Sequence, residues 1–242
     1  ALAMLAGFLW KEITGPGCRV RKRTAALCLA AMAVCLAASM ALYQAFVFSF
    51  VTMVMAVSVF RCLEYPQMSL KKIWAADFFA AGAAILGGLM YFAGLKVVTL
   101  VTGVSLHQNN YNSVSNAWTN REPVGERLVG CLEQLWKAFA EMPGYVYPAA
   151  LPRIISLLLL AVTALCLGAG IVRLAKKKHP VGVIMTILVL TALLPFAMNG
   201  VRLLNTSVHV LMTYSYWLAY VFVFRLAIGL SETSRSKPSK WA

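Results

Sequence analysis

The chain has 242 residues, of which 61% are hydrophobic and only 12% charged, and its formal charge is +14. A soluble domain carries about 25% charged residues, so this composition excludes a cytosolic enzyme, a disordered regulator and a secreted disulfide module. What remains is an all-α polytopic transmembrane bundle, with room for about six spans at about 20 residues each.

Residues 1–10 read as the end of a helix whose start is missing, and the first residue is not Met. Residues 1–242 are therefore expected to form a single transmembrane domain, the C-terminal piece of a longer protein. Residues 11–23 (KEITGPGCRVRKR) make a basic loop. An apolar run over 24–42 is interrupted by Tyr43-Gln44 and resumes over 45–60. This stretch is too long for one span and reads as a hairpin turning at Tyr43-Gln44, the alternative being one long tilted helix.

Residues 61–72 (RCLEYPQMSLKK) form a second basic loop. The run 73–104 contains Asp77, Gly87-Gly88 and Lys96, and holds a span over 74–95 with extra turns beyond it. Residues 105–153 are the longest polar segment. Within it, 124–141 sets Val124, Leu128, Cys131, Leu132, Leu135 and Phe139 at helical spacing. That is an amphipathic helix, suited to a membrane surface or to packing over the bundle. Residues 154–172 form a span, 173–179 (RLAKKKH) a third basic loop, and 181–198 a span with Pro195 near its end. The last span covers 208–230, and a basic tail follows.

Alternating these spans puts fifteen Lys and Arg on one side and five on the other. The bias predicts a cytoplasmic C-terminus and an extracytoplasmic 105–153 segment. It also accounts for the net charge without nucleic acid as a partner. The six cysteines (Cys18, Cys28, Cys35, Cys62, Cys131 and Cys166) follow no zinc or redox spacing and read as packing residues. No Walker, GxGxxG, HExxH or CxxC motif occurs, and His107, His179 and His209 are scattered, so no metal or cofactor site is visible in the sequence.

Polar residues at membrane depth are costly and therefore informative. Asp77 either reaches the interface or pairs with Lys71 or Lys72. Lys96, near the other end of the same span, either snorkels outward or holds a phosphate. The outward rim gathers Tyr43, Gln44, Asn109, Tyr111, Asn199, Arg202, Asn205, His209 and Tyr214. Amides, hydroxyls and aromatic faces suit a sugar, and Arg or Lys suits a lipid-linked phosphate. The same residues suit an aromatic belt with a polar rim. Sugar transfer to a hydroxyl calls for a carboxylate base, and Glu122 is the loop carboxylate next to the His/Asn cluster.

The stretches ALYQAFVFSFVTMVM, GGLMYFAGLKVV, NNYNS and LLPFAMNGVRLL…SVHVLMTYSYWLAYVF, taken in order, resemble the C-terminal half of the type II Gtr-type glucosyltransferases of O-antigen modification. The resemblance implies a multi-span fold similar to the lipid-sugar glycosyltransferases, in the bacterial cytoplasmic membrane. It implies transfer of a glucosyl group from a polyprenyl-phosphate donor to a cell-surface polysaccharide. Lys96 and Arg202 would then hold the donor phosphate. Asn109, Tyr111, Asn199 and His209 would hold sugar hydroxyls, and Tyr43, Gln44 and Tyr214 would touch substrate or lipid. In that class the acidic base sits in the first outward loop, which would precede Ala1. The rival readings are a transporter or flippase of lipid-linked saccharides, which calls for paired charges and broken helices near the midplane, and a non-catalytic membrane scaffold.

Overall fold

The computed structural model describes residues 2–15, 22–103, 122–136, 150–204 and 215–235. Among them there is no strand. The helices in chain order are α1 (Leu2–Ile13), α2 (Lys22–Leu42), α3 (Phe46–Glu64), α4 (Leu70–Thr102), α5 (Val124–Trp136), α6 (Ala150–Lys176), α7 (Val181–Met198), α8 (Gly200–Leu204) and α9 (Trp217–Arg235).

Five helices are long and apolar enough to cross a membrane: α2, α3, α4, the Leu157–Lys176 part of α6, and α7. The sixth expected span, 208–230, is described only from residue 215 onward, where α9 contributes a shorter apolar stretch, Leu218–Ile228. Large apolar side chains stand exposed on these helices, among them Leu27, Phe78, Ile85, Leu100, Leu165 and Val181. Such faces are unfavourable in water and at ease in hydrocarbon. Threonine hydroxyls in the spans satisfy themselves locally: Thr52, Thr99, Thr163 and Thr186 each donate to the carbonyl four residues back at 2.6–2.8 Å. A lipid environment offers no other partner.

The hairpin expected at Tyr43-Gln44 is present. Leu42 ends α2 and Phe46 opens α3. The turn closes with Tyr43 N–H to the Ser39 carbonyl at 2.9 Å and Phe46 N–H to the Tyr43 carbonyl at 3.1 Å. α4 has 33 residues, roughly 50 Å at about 1.5 Å per residue, well beyond the ~30 Å of a hydrocarbon core. It runs unbroken through Gly87-Gly88 and stops at Gly103, whose φ of 66° suits glycine as a helix cap and whose N–H reaches the Thr99 carbonyl.

Gly87 has a packing role. A Cβ there would lie 2.8 Å from Leu36 Cβ and 2.9 Å from the Ala33 carbonyl oxygen. With Ala76, Ala80 and Ala83, all buried, it forms the small-residue stripe that lets α4 lie close against α2. Gly88 faces open space.

Two cores share α3. One joins α1, α2, α3 and α4 around Trp10, Met32, Leu36 and Phe50; the other joins α3, α6, α7 and α9 around Val59, Ile187, Leu190 and Phe222. The end of the bundle that carries the α3–α4 and α6–α7 connections is called here the basic end. α1 is fastened at that end. Trp10 is fully buried and its indole N–H donates to the Ala76 carbonyl at 2.7 Å. The Arg61 guanidinium lies over its ring, 4.4 Å from the centroid. The same guanidinium donates to Thr14 Oγ1 at 2.7 Å and to the Lys11 carbonyl at 3.2 Å.

Two expectations are corrected here. Arg61, read as the first residue of a basic loop, belongs to α3 and is buried. Asp77 does not pair with Lys71 or Lys72, which are both exposed. It accepts the Ser58 hydroxyl at 2.6 Å and faces the Arg61 charge. Ser58 and Arg61 lie close to one helical turn apart on α3, so one face of that helix supplies both partners.

Candidate functional site

The end of the bundle opposite the basic end brings together much of the polar rim read from the sequence. α7 stops at Asn199, four residues past Pro195, whose carbonyl takes the Asn199 N–H at 3.1 Å. Gly200 then opens the short helix α8. A Cβ at Gly200 would sit 2.0 Å from the Phe48 ring, so only glycine admits this approach to α3. Val201 packs beside Ala45, Tyr43 and Phe48. The Tyr43 turn and the Asn199 corner are thus neighbours, although the sequence separates them widely. Gln44 points to α4, where its side-chain N–H donates to Tyr91 Oη at 2.8 Å.

α5 lies across this corner, touching α7 and α8. Its apolar face divides. Cys131 is buried and Leu135 packs on the main core, while Val124, Leu128, Leu132 and Trp136 stay exposed. Packing over the bundle and presenting an apolar surface are thus both features of this helix. Asn199 is 2% exposed and ties α5 to the corner in both directions. Its side-chain N–H donates to the Cys131 carbonyl at 3.2 Å, and the Cys131 thiol points to the Asn199 carbonyl at 3.6 Å. Ser215 adds a bond from its hydroxyl to the Met198 carbonyl. Burial pushes the Cys131 thiol above its ordinary range, so it stays neutral.

The charged centre of the site is Arg202 with Glu122. The two guanidinium nitrogens Nη1 and Nη2 donate to the two carboxylate oxygens, both at 2.6 Å. The side chains are 13% and 18% exposed. This is the bidentate fork geometry that arginine offers to carboxylate and phosphate alike. The bond to Glu122 holds the Arg202 guanidinium more firmly protonated than an ordinary arginine. Gly130 provides the floor: a Cβ there would lie 2.7 Å from Arg202 Nη2 and 2.9 Å from Cζ. Arg127 fixes the frame, donating from Nε to the Glu122 carbonyl at 2.9 Å and from Nη1 to the Leu203 carbonyl at 3.3 Å.

Sequence reasoning named Tyr43, Gln44, Asn199, Arg202 and Glu122, and the structure places all five at this end of the bundle. Lys96 stands exposed on α4, whose main packing partners are α2 and α3. Asn109, Tyr111, Asn205, His209 and Tyr214 lie outside the described residues. Tyr91, Arg127, Gly130 and Ser215 were missed. The apolar face of α5 was legible, but nothing in the pattern says that Gly130 must pass beneath an arginine from α8. No group of His, Cys, Asp and Glu among the described residues is arranged to hold a metal ion.

The arrangement is an anion fork, already filled by a carboxylate, set in a partly buried corner with amide and aromatic groups around it. Comparison with curated proteins and with solved structures gives no match. The family described as glucosyl transferase GtrII matches residues 1–225. The chain belongs to the GtrII glucosyl transferase family.

Proposed function

We propose that this chain forms the donor-binding part of a glucosyltransferase that moves glucose from a polyprenyl-phosphate carrier to a surface polysaccharide of the O-antigen kind. Family membership supports glucosyl transfer. The observation that carries the donor assignment is the Arg202 fork, which holds a carboxylate in the geometry a phosphate would take. Arg202 receives the donor phosphate, and Glu122 is the counter-ion that occupies the fork until then. With both oxygens on a guanidinium, Glu122 is a poor proton acceptor, and the base is assigned to another carboxylate. Asn199, buried and bonded to Cys131, is a positioning residue that holds α5 beneath the fork. Tyr43 and Gln44, with Asn109, Tyr111, His209 and Tyr214, remain the groups proposed to meet sugar or lipid, and Lys96 a second cation for the phosphate. The active face is extracytoplasmic and the basic end cytoplasmic, in a bacterial cytoplasmic membrane.

The test is transfer of radiolabelled glucose from polyprenyl-phosphate glucose in membranes that hold the full-length protein. Arg202→Gln is expected to lower transfer by raising the donor concentration required. Unchanged transfer at matched expression would remove Arg202 from the site. The transporter reading asks for paired charges near the midplane. The Arg61 and Asp77 charges instead sit in the last turns of α3 and the first turns of α4, where Arg61 fastens α1.

A further inference from the structure

The basic end of the bundle holds a cavity remote from the Arg202 fork. It lies between α3, α6 and α9 and measures about 350 Å³. Its walls are apolar, from Phe60, Leu63, Cys166, Leu174 and Leu226. Its rim is basic: Arg173, Lys177, His179 and Arg225 stand there, with Glu64 as the carboxylate among the described lining residues. Glu64 is paired with Arg225 at 2.5 Å. The positive charge of Arg173 and Lys177 is therefore in excess, and both side chains are exposed. A second cavity of about 400 Å³ adjoins the first, sharing Pro66 and His179 and adding Lys71 to the rim. Outside the cavity, α6 and α9 expose Leu165, Val172, Val221 and Phe224.

This combination has a chemical reading. A phosphate is held by charge-assisted N–H donors, and basic pockets between membrane helices suit anionic headgroups. An apolar wall below and exposed apolar helix faces beside it suit acyl chains and not a free ion. We propose that this cavity binds the headgroup of an anionic phospholipid, with Arg173, Lys177 and His179 around the phosphate and the chains along α6 and α9. The site lies at the opposite end of the bundle from the Arg202 fork, so it stands apart from the donor site.

The test is native mass spectrometry of the full-length protein in detergent, with phosphatidylglycerol, phosphatidylcholine or inorganic phosphate added. One phosphatidylglycerol is expected to stay bound under conditions that strip phosphatidylcholine. Each basic residue near an anionic group is worth about fivefold in affinity. The Arg173→Gln/Lys177→Gln variant, altered only at exposed positions, should therefore bind about thirtyfold more weakly. Lys176→Gln/Lys178→Gln, with the same charge loss outside the cavity lining, should bind as the parent does. Equal binding of the two lipids would overturn the proposal, as would parental affinity in the first variant or equal loss in both. Displacement of the lipid by micromolar inorganic phosphate would assign the site to a soluble anion instead.

Discussion

Arg202 and Glu122, eighty residues apart in sequence, meet through two hydrogen bonds of 2.6 Å over the backbone of Gly130. One partner comes from the short helix after α7 and the other from the approach to α5. The pair therefore joins two parts of the chain that are otherwise linked by Asn199, Cys131 and Arg127. A fork held this way is preset for an anion. A phosphate that reaches it exchanges one negative partner for another instead of entering a vacant site.

That exchange gives opposite expectations for the two residues. Glu122→Gln removes the resident anion and leaves Arg202 in place, so the donor is expected to bind several-fold more tightly while transfer continues. Donor titration of the transfer reaction checks this. Loss of transfer by about a hundredfold or more at saturating donor would instead make Glu122 the proton acceptor.

Gly130 tests the floor of the fork without touching a charge. In Gly130→Ala the new methyl meets the guanidinium at under 3 Å, and the far end of Arg202 must move. The expected outcome is a higher donor KM with kcat little changed and a stability change within about 1 kcal/mol. An unchanged KM would show that the fork is not where the donor binds.

Cys131 is buried against Asn199, and its thiol is pushed above the ordinary range by desolvation. The thiolate is the reactive form, so Cys131 should resist maleimide at pH 8 in the folded protein and react once the protein is unfolded. The sign for stability follows. A raised thiol value leaves stability intact below the ordinary pKa of about 8.5. Above it the unfolded chain ionises more readily than the folded one, and stability falls. Rapid labelling of folded protein, read by mass spectrometry of the Cys131 peptide, would contradict the burial of Cys131.

At the other end, Arg61 carries the fastening of α1. Arg61→Ala removes its bonds to Thr14 and Lys11, its contact with Trp10 and the charge facing Asp77. Breaking a buried charge partnership costs about 3–5 kcal/mol, against about 0.5 kcal/mol for exposed Lys71→Ala or Lys72→Ala. Thermal unfolding in detergent separates these outcomes. Gly87→Val belongs to the same comparison. It collides with the Ala33 carbonyl and Leu36 and should destabilise by about 1–3 kcal/mol, whereas Gly88→Val faces open space and should be neutral or slightly stabilising, because valine is no worse a helix former than glycine.

The spans were legible because hydrocarbon demands long apolar runs, and most polar clusters mark their ends. The Tyr43-Gln44 turn, the end of α7 at Met198 and the helix beginning at Val124 are all of that kind. Arg61 was misplaced for the same reason. A charge next to Cys62, Glu64 and Pro66 reads as loop, and only the packing of Trp10 and Thr14 reveals that it points inward. Glycine is a poor helix former, yet α4 uses Gly87 for close approach to α2 and passes through Gly87-Gly88 unbroken. In the site, residue types pointed to Arg202 and Glu122 separately. Their pairing depends on Gly130 and Gly200, whose role is to lack a side chain where Arg202 and Phe48 come close, and no periodicity carries that information.

Arg202 is the group on which donor binding in this site rests. The most direct measurement is the donor-concentration dependence of glucose transfer from polyprenyl-phosphate glucose, in membranes with the full-length protein, its Arg202→Gln variant and the charge-neutral Arg202→Gln/Glu122→Gln double variant. The double variant removes both members of the pair, so a defect in it is not a folding defect of an orphaned carboxylate. Both variants are expected to need at least about tenfold more donor than the parent. Parental donor dependence in the double variant would contradict that role of Arg202.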